Sequence, residues 1–278
     1  MESNMRILII GSAGQIGGAL YDALRKHKGW RVWGADIARG KRSTVALDIT
    51  KRIQVYSQIK KIRPDIVILT AAMTNVDDCE RKKSRARKIN VQGVQYVAEA
   101  CKDQRAKLIF FSSAYVFDGK AGNYSEKDIP RPINYYGKTK LEAERIIHKT
   151  LNDYIVIRTT WVFANSDFLV ERFRALRKGE TLPIANDQWG NPTSADNISE
   201  AVEEMIERNC KGLWHIGGPD KMNKYDWTVL QAKHRKLRFS LIKSTATNGE
   251  KTRRPLQGTL SVRKAQKYLH TQLYFPRV

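Results

Sequence analysis

Met5-Arg6-Ile7-Leu8-Ile9-Ile10-Gly11-Ser12-Ala13-Gly14-Gln15-Ile16-Gly17 joins a β-branched apolar run to a turn carrying three glycines at GxxGxxG spacing. The run is nearly continuous rather than alternating, which suits a strand covered on both faces. Ile16, Ala19, Leu20, Ala23 and Leu24 then recur at helical spacing, and Trp30–Asp36 reads as a second strand. Strand, glycine turn, helix and strand make a βαβ unit. Glycine permits the tight turn and lets backbone N–H groups approach a pyrophosphate, while the helix N-terminus adds a favourable dipole for the anion. Gly11, Gly14, Gln15, Ile16 and Gly17 are therefore expected to hold a dinucleotide. Asp36 closes the second strand, where a carboxylate can accept from the adenosine ribose and favour NAD. Arg39, Lys41 and Arg42 follow at once and offer cations to a 2′-phosphate, so NADH and NADPH both stay open.

The rhythm continues beyond this unit. Residues 44–47, 65–70, 107–112 and 154–158 read as strands, and 50–62, 85–101 and 141–150 as helices. Such alternation predicts an α/β, Rossmann-like, doubly wound parallel sheet with right-handed crossovers. Further on the pattern is irregular, with helices expected at 168–178, 198–209 and 225–237 and a strand at 213–216. We expect a dinucleotide-binding domain over 1–163 and, mainly, a smaller C-terminal substrate-binding lobe over 164–278, packed on the first without a linker.

The chain has 278 residues, and 50 Lys plus Arg against 28 Asp plus Glu leave a net charge of +22. That potential attracts nucleic acid, anionic lipid and phosphorylated metabolites alike, so only local arrangement can choose among them. The densest run, Arg81-Lys82-Lys83-Ser84-Arg85-Ala86-Arg87-Lys88, lacks the interleaved aromatics of a single-strand stacking groove. It reads as a solvated helix face, and a nucleic-acid partner is not expected. No stretch approaches the roughly 18 apolar residues of a membrane span, and the apolar run at the N-terminus is too short for a signal peptide. Cys79, Cys101 and Cys210 are odd in number and far apart, as in a reduced, cytoplasmic protein. His27, His148, His215, His234 and His270 are scattered, and no metal site is expected.

Chemistry enters with Tyr136-Gly137-Lys138-Thr139-Lys140, where a phenol and an ammonium four residues apart share a helix face. A nearby cation favours the phenolate, so Lys140 is expected to lower the Tyr136 pKa. Ser113 ends the fifth strand, at the carboxyl edge where doubly wound sheets place their ligands. Its hydroxyl can hold a carbonyl oxygen while Tyr136 protonates it and a nicotinamide delivers hydride. Ser113, Tyr136 and Lys140 are the expected catalytic set, with Tyr136 and Lys140 also touching the cofactor.

The GxxGxxG spacing resembles the short-chain dehydrogenase/reductase superfamily, whose cofactor contacts would fall on Asp48, Ile49, Ala71 and Ala72. Within it, the chain resembles the dTDP-4-dehydrorhamnose reductases through Thr70-Ala71-Ala72-Met73-Thr74-Asn75-Val76-Asp77, Asn90, Ser112-Ser113-Ala114-Tyr115-Val116-Phe117-Asp118-Gly119, Tyr135-Tyr136-Gly137-Lys138-Thr139-Lys140-Leu141, Arg158-Thr159-Thr160-Trp161-Val162-Phe163 and Asp187-Gln188-Trp189-Gly190-Asn191-Pro192-Thr193. The resemblance implies reduction of a 4-keto nucleotide sugar by NADPH or NADH, in a monomer or homodimer. It also implies substrate contacts at Thr74, Val76, Tyr115, Trp161 and Gln188. One position departs: Ala114 stands where the family has an acidic residue, and Ala114-Tyr115 lacks the carboxylate pair that nucleotide-sugar dehydratases use for water elimination. The regulatory β subunit of methionine adenosyltransferase resembles the chain over the same motifs and supplies the alternative, a non-catalytic NAD(P)-binding partner.

Overall fold

The computed structural model describes residues 5–163, 173–247 and 252–274. In chain order the first half contains β1 (Met5–Ile10), α1 (Gln15–Leu24), β2 (Trp30–Asp36), β3 (Val45–Ala46), α2 (Arg52–Ile62), β4 (Ile66–Leu69), α3 (Val76–Arg81), α4 (Lys83–Arg87), a π-helical turn at Lys88–Gly93, α5 (Val94–Gln104), β5 (Lys107–Ser113), α6 (Tyr135–Thr150) and β6 (Tyr154–Thr159). There follow β7 (Val162–Phe163), α7 (Arg174–Arg177), β8 (Leu182–Ala185), β9 (Trp189–Gly190), β10 (Thr193–Ser194), α8 (Ala195–Glu207), β11 (Gly212–His215), β12 (Met222–Asn223), α9 (Lys224–His234), β13 (Ile242–Thr245) and α10 (Arg263–Tyr268).

Seven strands form one sheet in the order β11-β6-β5-β4-β1-β2-β3, and every pair is parallel. The apolar runs are continuous because each strand feeds two cores. Ile7, Ile9, Ile66, Ile68, Ile109, Phe111, Ile155 and Ile157 point to the side covered by α1, α8 and α10. Leu8, Ile10, Val67, Leu69, Leu108, Phe110 and Val156 point to the side covered by α2, α5 and α6. Each such side chain, fully buried, contributes about 1.5–3 kcal/mol, so the sheet is the rigid frame of the molecule.

The second half of the chain divides its loyalties. Ala195–Glu207 packs on α1 through Ile198, Ala201, Val202 and Met205, and Gly212–His215 adds the seventh strand beside β6. The smaller lobe is therefore only part of 164–278. Its own core gathers Phe163, Phe173, Leu176, Ile184, Trp227, Ala232 and Ile242. Short pairs β8–β13, β9–β12 and β7–β10 tie it together. The two-residue strands β7, β9, β10 and β12 carry too little periodicity to be read from sequence, whereas β3 lies inside the strand read at 44–47. Of the helix expected at 168–178, residues 168–172 lie outside the described residues, and the remainder gives α7. The helix expected at 85–101 is interrupted by the π-helical turn.

The basic run behaves as a solvated face: Arg81 pairs with Asp78, Lys83 with Glu80 and Arg87 with Glu142. Among the described residues no helix is long and apolar enough to cross a membrane. All three cysteines are free.

At the end of β11, fully buried His215 donates from Nδ1 to the Tyr124 carbonyl at 3.0 Å. Burial, with the Arg158 charge behind it, pushes the imidazole down to about 3 from its ordinary 6.5. Between those two values the unfolded chain binds a proton that the folded one refuses, so stability falls as pH drops from 6.5 towards 3. Urea unfolding followed over this window is expected to show a shallower loss in His215→Asn than in the parent. An equal slope would remove His215 as its source.

Candidate active site

The glycine turn is locked by its neighbours. Gly11 has φ +97°, and a Cβ there would come within 2.5 Å of the Ala71 nitrogen. A Cβ on Gly17 would stand 2.1 Å from the Gly11 carbonyl oxygen, so α1 can start this close to β1 only with glycine. Thr70 Oγ1 donates to the carbonyls of Ile10 and Gly11, both at 3.1 Å. Gly14 is the N-cap and caps nothing with a side chain, so Gln15, Ile16 and Gly17 open the helix with N–H groups that an anion can take. Asp36 accepts from Ala13 N–H at 3.0 Å and from Ile37 N–H at 2.8 Å, which fixes its carboxylate beside the turn. Arg39 and Lys41 are exposed, while Arg42 is taken by Asp22 at 2.6 Å. Asp48 caps Thr50 N–H at 2.9 Å, and Ile49 is buried against Gly93. This set suits a dinucleotide: backbone donors for phosphate, a carboxylate for ribose, and the small Ala71 and Ala72 alongside.

Asn134 caps α6 by accepting Gly137 N–H at 2.9 Å, which sets Tyr136 in the first turn of the helix and Lys140 one turn later. Ser113 Oγ accepts Tyr115 N–H at 3.2 Å and lies near enough to the Tyr136 phenol to pull its pKa down. Tyr115 meets the Tyr136 ring edge-on, centroids 5.7 Å apart. Lys140 Nζ lies 4.3 Å from the centre of the Phe110 ring. Serine, tyrosine and lysine are thus brought together at the carboxyl edge of the sheet.

Their electrostatics differ from the sequence expectation. Burial pushes the Tyr136 phenol well above its ordinary value, the Ser113 hydroxyl pulls it partly back, and Lys140 has no resolved part in the shift. Burial likewise brings Lys140 down to about 7, against the pull of Glu144 in the other direction. The physical reason is common to both: each is nearly out of contact with water, and a low-dielectric site disfavours whichever form is charged. Tyr136 is accordingly held protonated at neutral pH, the state a proton donor needs.

Beneath the site, Arg158 on β6 grips Glu144 on α6 in a buried two-point pair, with distances of 3.0 and 2.7 Å, and Ser112 hydrogen-bonds the same carboxylate. Ser112, Arg158 and Asn90 stand in the motifs quoted above with no role attached to them, and Glu144 stands outside those motifs. A carboxylate one turn after the lysine was the available signal for Glu144; nothing local marks Arg158 as its partner.

The remaining expected contacts separate. Thr74 is exposed, and Val76 packs near Tyr136 and Tyr115. Trp161 has φ +42°, unusual for a bulky residue and costly unless the surroundings fix it. Its indole lies on Gly190, where a Cβ would come within 2.6 Å. Gln188 is buried, its amide bonded to Lys224 and Thr247 at 3.1 Å each, which makes it a strut of the lobe. Arg254 reaches across from the lobe to Asp77 at 2.7 Å. Far from the site, His27 comes to 3.2 Å from Glu207, with Glu203 alongside, so this histidine is not solitary.

A seven-stranded parallel sheet with a glycine turn and a serine–tyrosine–lysine set at its carboxyl edge defines an extended short-chain dehydrogenase/reductase. Within that class the chain belongs to the RmlD family, whose model, the RmlD substrate binding domain, matches residues 5–275. It is 31% identical to the dTDP-4-dehydrorhamnose reductase of Shigella flexneri over 94% of this chain and 91% of that one. A hypothetical dTDP-4-dehydrorhamnose reductase from Sulfolobus tokodaii, 32% identical, superposes with a TM-score of 0.88 over 98% of both chains. The Bacillus anthracis dTDP-4-dehydrorhamnose reductase, solved in complex with NADP, is 26% identical with a TM-score of 0.89 over 98% of this chain and 95% of that one. The protein is an NAD(P)-dependent oxidoreductase similar to these reductases.

Proposed function

We propose that the protein reduces the C4 ketone of a nucleotide-linked 6-deoxyhexose, dTDP-4-dehydro-L-rhamnose to dTDP-L-rhamnose or a close analogue. The observation that carries this reading is the placement of Ser113 at the end of β5 with Tyr136 and Lys140 one turn apart on α6, in a sheet whose first strand runs into the glycine turn. The reduced nicotinamide, NADPH or NADH, supplies the hydride when bound. Ser113 orients the carbonyl oxygen, and Tyr136, kept protonated by burial, gives that oxygen its proton. Lys140, one turn further along α6, holds the nicotinamide ribose in this reading. Ala114 is buried among Val116, Phe117, Tyr124, Leu141 and Leu260, and Tyr115 follows it, so no carboxylate here serves as acid or base for dehydration. Thr74, Val76, Tyr115 and Trp161 line the substrate side.

The test supplies dTDP-4-keto-L-rhamnose with NADPH or NADH and follows the loss of reduced-cofactor absorbance. Consumption with formation of a C4 hydroxyl is expected; no consumption with any 4-keto sugar nucleotide overturns the proposal. Cofactor choice has its own check. Asp36→Ala is expected to weaken NADH more than NADPH, because the carboxylate serves the ribose hydroxyl and the 2′-phosphate draws on Arg39 and Lys41. Equal weakening of the two would contradict that role.

A further inference from the structure

We propose that the Thr139 hydroxyl is a positioning strut that holds the cofactor-side loop, residues 70–75, in register with the Tyr136 phenol; this rests on the reading of Tyr136 as proton donor. Thr139 lies on α6 between Tyr136 and Lys140 and is 2% exposed. Its hydroxyl donates to the Tyr136 carbonyl at 2.7 Å and accepts from Asn90 Nδ2 at 3.1 Å. Asn90 sits in the π-helical turn between α4 and α5, and its amide closes on both sides of Met73. Met73 N–H donates to Asn90 Oδ1 at 2.8 Å, and Asn90 Nδ2 donates to the Met73 carbonyl at 3.0 Å. The Cys79 thiol donates to that same carbonyl at 3.3 Å.

Met73 follows Ala71 and Ala72, assigned above to the cofactor side, and precedes Thr74, assigned to the substrate side. A continuous set of hydrogen bonds therefore runs from this loop through Asn90 and Thr139 to the backbone of Tyr136. The loop positions the hydride donor and α6 positions the proton donor, so the reaction needs the two fixed against each other to a fraction of an ångström. A buried helical threonine commonly bonds a carbonyl of its own preceding turn, and for that purpose alone it needs nothing else. Here the second half of the hydroxyl's capacity is used as well, by an amide from another helix whose remaining bonds go to the cofactor-side loop. Packing alone would be served equally by valine, which has the same shape without the hydroxyl.

Thr139→Val and Thr139→Ser separate the two roles. In the valine variant kcat is expected to fall about tenfold, the loss that one ordinary hydrogen bond represents. NADH or NADPH binding, read directly by nicotinamide fluorescence, is expected to weaken with it. The serine variant keeps the hydroxyl and is expected to restore both to within about twofold of the parent, a rescue that a purely space-filling role would not produce. Wild-type kcat and cofactor affinity in folded Thr139→Val would overturn the proposal, as would a serine variant as impaired as the valine one. If Thr139→Val fails to accumulate folded, Thr139→Ala reads the same two quantities. A parent protein that binds NADPH but reduces no 4-keto sugar nucleotide would remove the proposed reaction, while the cofactor-affinity comparison would still decide whether Thr139 acts as the strut.

Discussion

Tyr136→Phe is expected to lower turnover at least about a hundredfold while leaving cofactor binding intact, the scale on which a positioned proton donor assists such a transfer. The change is clean in structural terms. The ring of Tyr136 packs with Cys79, Ala86, Met73, Val76, Tyr115 and Tyr135, and phenylalanine fills the same space. What disappears is one hydroxyl and its electrostatic interaction with Ser113. The proposed cofactor cradle centres on the glycine turn, the start of α1 and Asp36, none of which depends on that hydroxyl. Steady-state loss of reduced-cofactor absorbance gives turnover, and nicotinamide fluorescence gives binding. Full activity in the variant would take Tyr136 out of the mechanism; lost activity together with lost cofactor binding would point to a collapsed site instead.

Removing one partner of the ion pair below the site should have the largest effect on stability. Glu144→Leu leaves the Arg158 guanidinium buried without its carboxylate, and stranding a charge in this way costs about 3–5 kcal/mol. The side chains are 10% and 4% exposed, so water cannot take over the lost contacts. Arg158 also holds α6 to β6, and Ser112, bonded to the same carboxylate, holds it to β5. The double variant Glu144→Leu/Arg158→Met is expected to recover much of the loss, because it removes both charges and keeps apolar volume. Urea denaturation of the two variants and the parent reads this directly. A Glu144→Leu protein within about 1 kcal/mol of the parent would show that the pair adds little beyond its own desolvation cost.

The two effects divide along a line visible elsewhere in the molecule. Tyr136 could be found in the sequence because it acts within a local pattern: a phenol and an amine one helical turn apart, after a strand that ends in a hydroxyl. Arg158 could not be assigned a partner, since its partner is set by how β6 packs against α6. The same holds for Gln188, which the family likeness places in the cleft and the fold spends on Lys224 and Thr247. It holds for Asn90, whose role depends on an interruption in a helix that periodicity draws as continuous.

Residue order alone makes legible the parallel sheet, the glycine turn against its first helix, and the succession of Ser113, Tyr136 and Lys140 along the chain. Those features rest on near-neighbour physics: continuous apolar runs for strands covered on both faces, glycine where a Cβ has no room, and one-turn spacing on a helix. Tertiary structure alone decided that Ala195–His215 returns to complete the sheet, that His27 meets Glu207, and that Glu144 pairs with Arg158. It also decided the charge states. Spacing suggested a cation lowering the Tyr136 pKa, but burial governs both groups, because the cost of holding charge away from water depends on everything packed around the site and on no single neighbour.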